Sequence, residues 1–166
     1  MPKSQVTEEN PHKLPEDTPL PARLVHVTEQ SFPFTRKKDG NGKKAGERDI
    51  FVKWTWDFEI TGGEYAGLHA EIDTDPKVTV TPDGQRNKPA QFVEALRGME
   101  VDFGEGIDTD DYDGLPCAIT VRHDKRERSD GQGYFYSEPV KDVFPESLLE
   151  EIRAQQGAGA ADEPPF

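Results

Sequence analysis

Between Ile50 and Ile60 the chain reads IFVKWTWDFEI, where Val52, Trp54, Trp56, Phe58 and Ile60 alternate with Lys53, Thr55, Asp57 and Glu59. A period of two held over that length predicts a strand with one buried and one wet face. It assigns both tryptophans to a core and gives Phe51 and Lys53 the outward phase. Weaker stretches of the same kind surround it. ARLVHV (22–27) comes before; Gly67 to Ile72 follows a Gly62-Gly63 turn, with Leu68, Ala70 and Ile72 opposed to His69 and Glu71. LPCAITVRH (115–123) alternates through Leu115, Cys117, Ile119 and Val121, and GYFYSEPVKDVF (133–144) reads as one last strand. Between the third and fourth strands the period changes. In KPAQFVEALRGM, Phe92, Val93, Leu96 and Met99 share a helical face and Gly98 stands where the helix would close. A second, short helix is expected in PESLLEEIRAQQ, with Leu148, Leu149 and Ile152 on one side.

Five short strands with one helix between the third and fourth predict a mainly β domain of the OB-fold type, a partly open Greek-key barrel. Another small barrel or sandwich is the alternative. The proline-rich, aperiodic residues 1–20 are expected to form a disordered arm, 21–145 the barrel, 146–156 the short helix and 157–166 a flexible acidic tail. Composition agrees with a modest core between loose ends, since 33% of residues are hydrophobic and 32% charged. The single cysteine, Cys117, excludes an intramolecular disulfide and a CxxC or Cys/His zinc site. With no signal-peptide pattern and no run long enough to span a bilayer, the expectation is a cytoplasmic protein with no membrane partner.

The formal net charge of −13 argues superficially against a polyanionic ligand, but its distribution is uneven. Residues 36–53 carry Arg36, Lys37, Lys38, Lys43, Lys44, Arg48 and Lys53 against Asp39, Glu47 and Asp49, a local net of +4. A second cluster, Arg122, Lys125, Arg126 and Arg128, outnumbers Asp124 and Glu127. In an OB-fold, oligonucleotides cross strands 2 and 3 between the loop joining strands 1 and 2 and the loop joining strands 4 and 5. The two basic segments, TRKKDGNGKKAGERD and DKRERSDGQG, occupy those two loops. Cations that follow phosphates and rings that stack on bases are the usual means of holding a single strand. The aromatic candidates are Phe51 beside Lys53, and Tyr134 and Tyr136 at the start of the last strand, one face of which is expected to fill the core. Arg86 and Lys88, before the helix, either extend the groove or face solvent.

After the short helix come GAGAA and then DEPPF. This ending resembles that of bacterial and phage single-stranded DNA-binding proteins, in which a flexible linker leads to an acidic tip finishing in an aromatic residue, often after proline. The resemblance implies that Phe166 anchors in an apolar pocket of a DNA-processing partner, with Pro164 and Pro165 as rigid neighbours and Asp162 and Glu163 as acidic contacts. Two acids are fewer than that family usually carries. The implied function is to coat single-stranded DNA without sequence preference, with no cofactor, and to recruit replication, recombination or repair proteins. A tail of this kind would also compete with anions for the basic groove until DNA displaces it. A homodimer or higher oligomer is compatible with this reading. The rival is a protein-interaction or virion module built on the same barrel.

Enzymatic readings find little support. Asp102 to Asp113 holds six carboxylates, yet an EF-hand loop started at Asp108 would place Asp113 at the turn glycine and Ile119 at the bidentate acid. No HExxH, GxSxG or phosphate-cradling loop accompanies the acids. His12, His26, His69 and His123 lack metal-ligand spacing along the chain, so neither catalytic nor metal-binding residues are expected. The acidic stretch is expected to be a solvated loop facing away from DNA.

Overall fold

The structure, a computed structural model, describes residues 12–35, 46 and 48–161, the last six by backbone alone. The alternation of 50–60 sits at the heart of the main sheet. β2 (Arg48–Ile60) pairs on one side with β1 (Leu20–Thr35) and on the other with β3 (His69–Thr74), placing Phe58 between Leu24 and Ala70, and Trp56 between Val27 and Ile72. β1 also pairs through Leu20–Arg23 with β4 (Pro116–Val121), which pairs in turn with β7 (Val140–Pro145). The result is a five-stranded antiparallel sheet of order β3-β2-β1-β4-β7.

α1 (Lys88–Arg97) begins at Asn87, whose side chain accepts a hydrogen bond from the Ala90 N–H at 3.0 Å. It ends at Gly98, whose φ of 74° suits a residue without a Cβ. Its apolar face lies on the sheet: Phe92 meets Trp56 edge-on at 5.2 Å and Phe58 at 6.2 Å. Trp56, Phe58, Ile60, Val93 and Ile119 are fully enclosed, and Trp54 is partly buried. Met99 lies past the capping glycine and is exposed, so it does not belong to the apolar face.

Four further expectations are corrected. Residues 12–20 are not a loose arm: Leu14 is 2% exposed, its N–H donates to the Glu138 carboxylate at 2.9 Å, and the Asp17 N–H donates to the Val121 carbonyl at 2.9 Å. A lone leucine among prolines gives no periodicity to read. β1 runs well past Val27, because Gln30–Thr35 pairs with Arg48–Lys53 as a two-stranded ribbon beyond the end of β3 and needs no apolar face. GYFYSEPVKDVF is two strands rather than one. β6 (Tyr134–Ser137) pairs with β5 (Asp124–Glu127), in the segment expected to be loop, and β7 resumes in the main sheet after Pro139, which has no N–H for a ladder. Finally, a short 3-10 turn (Glu146–Leu148) leads into α2 (Leu149–Ala161), whose backbone continues through the expected Gly/Ala tether. No helix among the described residues is long and apolar enough to cross a membrane.

Candidate nucleic-acid interface

Two ribbons carry exposed aromatic rings beside cations. In the β1–β2 ribbon Phe32 pairs directly with Phe51 and Phe34 with Asp49; period-two alternation puts Phe32, Phe34, Phe51 and Lys53 on one face. Phe51 is 55% exposed, Phe32 and Phe34 are open as well, and the Lys53 ammonium sits 5.3 Å over the Phe32 ring. Ile50 is exposed on the opposite face. Arg48 is exposed opposite Thr35. Arg36, Lys37, Lys38, Lys43 and Lys44, predicted for this ribbon's loop, lie outside the described residues.

The β5–β6 ribbon repeats the chemistry. Lys125 lies 4.1 Å over the Tyr134 ring and 5.8 Å from that of Tyr136, while the Arg128 guanidinium lies 4.4 Å over Phe135. All three rings are exposed, against the expectation that one face would fill the core. β6 pairs with β5 alone, and of its rings Tyr136 meets the His12 imidazole edge-on at 5.7 Å. Such contacts hold cation and ring together in water, where each is worth about 0.5–1 kcal/mol, and leave the outer ring faces open.

A groove of about 650 Å³ separates β3 from this second ribbon, with His69, Glu71 and Asp73 on one wall and Arg122, Asp124, Arg126, Ser137 and Glu138 on the other. The wet face of β2 and β3 is richer in carboxylates than the chain pattern suggested, but most are neutralised locally. Asp73 accepts from the Lys53 ammonium at 2.6 Å and the Thr55 hydroxyl at 2.7 Å. Partial burial pushes its carboxyl upward, and the Lys53 and Thr55 hydrogen bonds outweigh that and hold it below the usual range. Asp57 contacts His69 Nδ1 at 2.8 Å, and Glu59 pairs with Arg23 at 2.9 Å. Glu71 has no hydrogen-bond or ionic partner among the described residues. Arg122 is paired with Asp124 at 3.2 Å, while Arg126 is exposed.

Arg86 and Lys88 line neither the groove nor the ribbons. Arg86 is clamped by Glu94 at 2.7 Å and by the Gly84 carbonyl at 2.8 Å, tying the loop to α1; Lys88 donates to the Lys141 carbonyl at 3.0 Å. Asp162, Glu163, Pro164, Pro165 and Phe166 are outside the described residues. Phe32, Phe34 and Phe135 are additions that sequence reasoning missed. The available signal was the FPF triplet at 32–34, two rings at period two immediately before the basic segment.

The fold also assembles histidines that spacing along the chain does not relate. His26 Nδ1 lies 2.7 Å from Asp113 and 3.9 Å from Asp110, bringing the exposed acidic segment onto β1. His12, His123 and Glu138 form a second group with ligand atoms within 4.8 Å of one another. There the imidazoles stack at 3.9 Å with planes 6° apart, so their in-plane lone pairs run parallel rather than converge. His123 Nε2 is engaged by the Leu14 carbonyl at 2.6 Å. These are the residues with the chemistry to hold a metal, and the stacked pair would have to reorient to do so. Cys117 is enclosed, and burial pushes its thiol up to about 12, so it is an inert core residue. No family model, curated protein or solved structure matches this chain.

Proposed function

We propose that the chain binds single-stranded DNA, without strict dependence on sequence, along a path between the two ribbons. The observation that carries this reading is the repetition of one arrangement at two places: exposed rings with a lysine or arginine over them, on β1–β2 and again on β5–β6. A single strand needs stacking surfaces for unpaired bases and cations for the phosphates between them, and stacked bases contribute about 1–3 kcal/mol each. The OB-fold assignment belongs to the same proposal. It is supported by the strand order, by a helix between β3 and β4, and by contacts between the edge strands β3 and β7, as a partly open barrel would require. In that fold the ribbons extend the two loops that flank the ligand. Recruitment of DNA-processing proteins through Asp162–Phe166 is retained as a proposal on the resemblance of that segment alone.

Fluorescence anisotropy of a labelled single strand, titrated at several salt concentrations beside a duplex of equal length, tests the reading. Expected is a preference for the single strand and a log–log salt slope near 0.7 for each phosphate neutralised, about 3 in total if four cations take part. Equal binding to duplex, or affinity indifferent to salt, would count against it. Absence of binding to either by a folded sample would favour the protein-interaction module, for which the exposed Ile50 and the carboxylates of β2 and β3 would then be the natural starting points.

A further inference from the structure

Between the two ribbons lies a groove that offers a single strand little. On its β3 side Asp73 is bonded to Lys53, which sits over Phe32 on the first ribbon; on its other side Arg126 and Ser137 belong to the second ribbon. A strand reaching from one set of rings to the other therefore passes over it. The lining carries Glu71, Asp73, Asp124 and Glu138 against Arg122 and Arg126. Lys53 balances Asp73 and Arg122 balances Asp124, which leaves Glu71 and Glu138 facing Arg126. The remainder is negative, so phosphates gain nothing there. Neither do bases: among the described residues the lining includes no phenylalanine, tyrosine or tryptophan, and the His69 imidazole is held by Asp57 at 2.8 Å.

Resting on the single-strand reading above, we infer that the ribbons are two separate stacking sites and that the groove is a gap the strand bridges without being held. Both parts of the single-strand recipe, open rings and spare cations, stop at the edges of the groove and resume beyond it. Two weak sites engaged by one ligand raise each other's effective concentration, so a bridging strand binds more tightly than either half with no contact in the gap. The preferred ligand is then defined by reach. A strand long enough to span is accepted whatever lies at its centre: an abasic run over the groove is tolerated, and one over a ring is not.

The full chain is titrated with strands of increasing length to find the shortest that reaches full affinity. In that strand a central block, or an end block of the same length, is replaced by a polyethylene glycol linker of matching span, which carries neither bases nor the phosphates between them. Central replacement should change affinity by less than about twofold and leave the salt slope as it was, because the phosphates removed met no spare cation. End replacement strips bases from a ring and should weaken binding about five- to a hundredfold. Phe135→Ala should weaken the intact and the centrally replaced strand by the same factor, since both use the same rings. Equal cost at centre and end, whatever its size, would overturn the inference while leaving single-strand binding intact. So would a central replacement that lowers the salt slope by about 0.7 for each phosphate removed. Failure of intact strands to bind would remove the reading on which it rests.

Discussion

Asp113 draws His26 into a charged state more readily than an isolated imidazole. Its hydrogen bond is the largest effect, opposed by slight desolvation and aided by the charges of Asp113 and Asp110, so the group's pKa rises above the ordinary 6.5. A folded-state value above the unfolded one means that the pair stabilises the fold fully at pH below 6.5 while the carboxylate stays ionised, and that this contribution disappears as pH rises through the raised value. Both partners are well exposed, so solvent screening keeps the gain small. Thermal melting of the native chain and His26→Gln, from about pH 5 to about pH 9, should give a difference that is largest at the acid end and closes toward the alkaline end. A difference independent of pH would show that His26 acts by packing alone. The contact itself was illegible in the sequence, because it joins positions far apart on the chain and neither residue belongs to a motif.

At the scale of the element, capping and ribbon formation obey different logic. Asn87 does more than cap α1: its side-chain carbonyl accepts from the Ala90 N–H at 3.0 Å and the Thr79 N–H at 3.1 Å, and its amide donates to the Lys77 carbonyl at 2.9 Å. Asn87→Ala should therefore cost about 2 kcal/mol in urea denaturation, the upper end for an N-cap, and Asn87→Asp should recover most of it because both acceptor contacts survive. Loss of stability no greater than that of a surface substitution would mean that the loop holds the helix by other contacts. The ribbons behave oppositely, since their exposed rings contribute little to the fold. Phe135→Ala, where the ring is 57% exposed, should leave the denaturation midpoint nearly unchanged yet lower single-strand affinity about five- to a hundredfold. If affinity stays put while stability falls, the ring serves the structure and the interface lies elsewhere.

Over the whole molecule the net charge of −13 and the proposed binding of a polyanion are reconciled by segregation. Arg48, Lys53, Lys125, Arg126 and Arg128 lie on the ribbons, carboxylates of β2 and β3 are mostly paired with Lys53, His69 and Arg23, and in the acidic run of 102–113 Glu105 is held by Arg97 while Asp110 and Asp113 face His26. Local field rather than total charge governs where a strand would settle. The same segregation was partly visible along the chain, where basic and acidic residues occupy different segments. What those segments face was not visible: folding lines the groove between β3 and the β5–β6 ribbon with Glu71, Asp73, Asp124 and Glu138 as well as Arg122 and Arg126.

The sequence by itself determined β2 and its buried face, the existence of α1 and its C-terminal stop, and the placing of β3 and β4, because each depends on a period or a stop signal carried by neighbouring residues: Trp56 and Phe58 alternate, and Gly98 follows Arg97. Tertiary structure alone decided the rest. The extension of β1 to Thr35, the β5–β6 ribbon and the anchoring of Leu14 arise from backbone pairing or packing against distant partners, which leaves no apolar period to read. A residue such as Glu71 looks like any outward carboxylate on an alternating strand. Only folding sets it across a groove from Arg122, Asp124, Arg126 and Glu138.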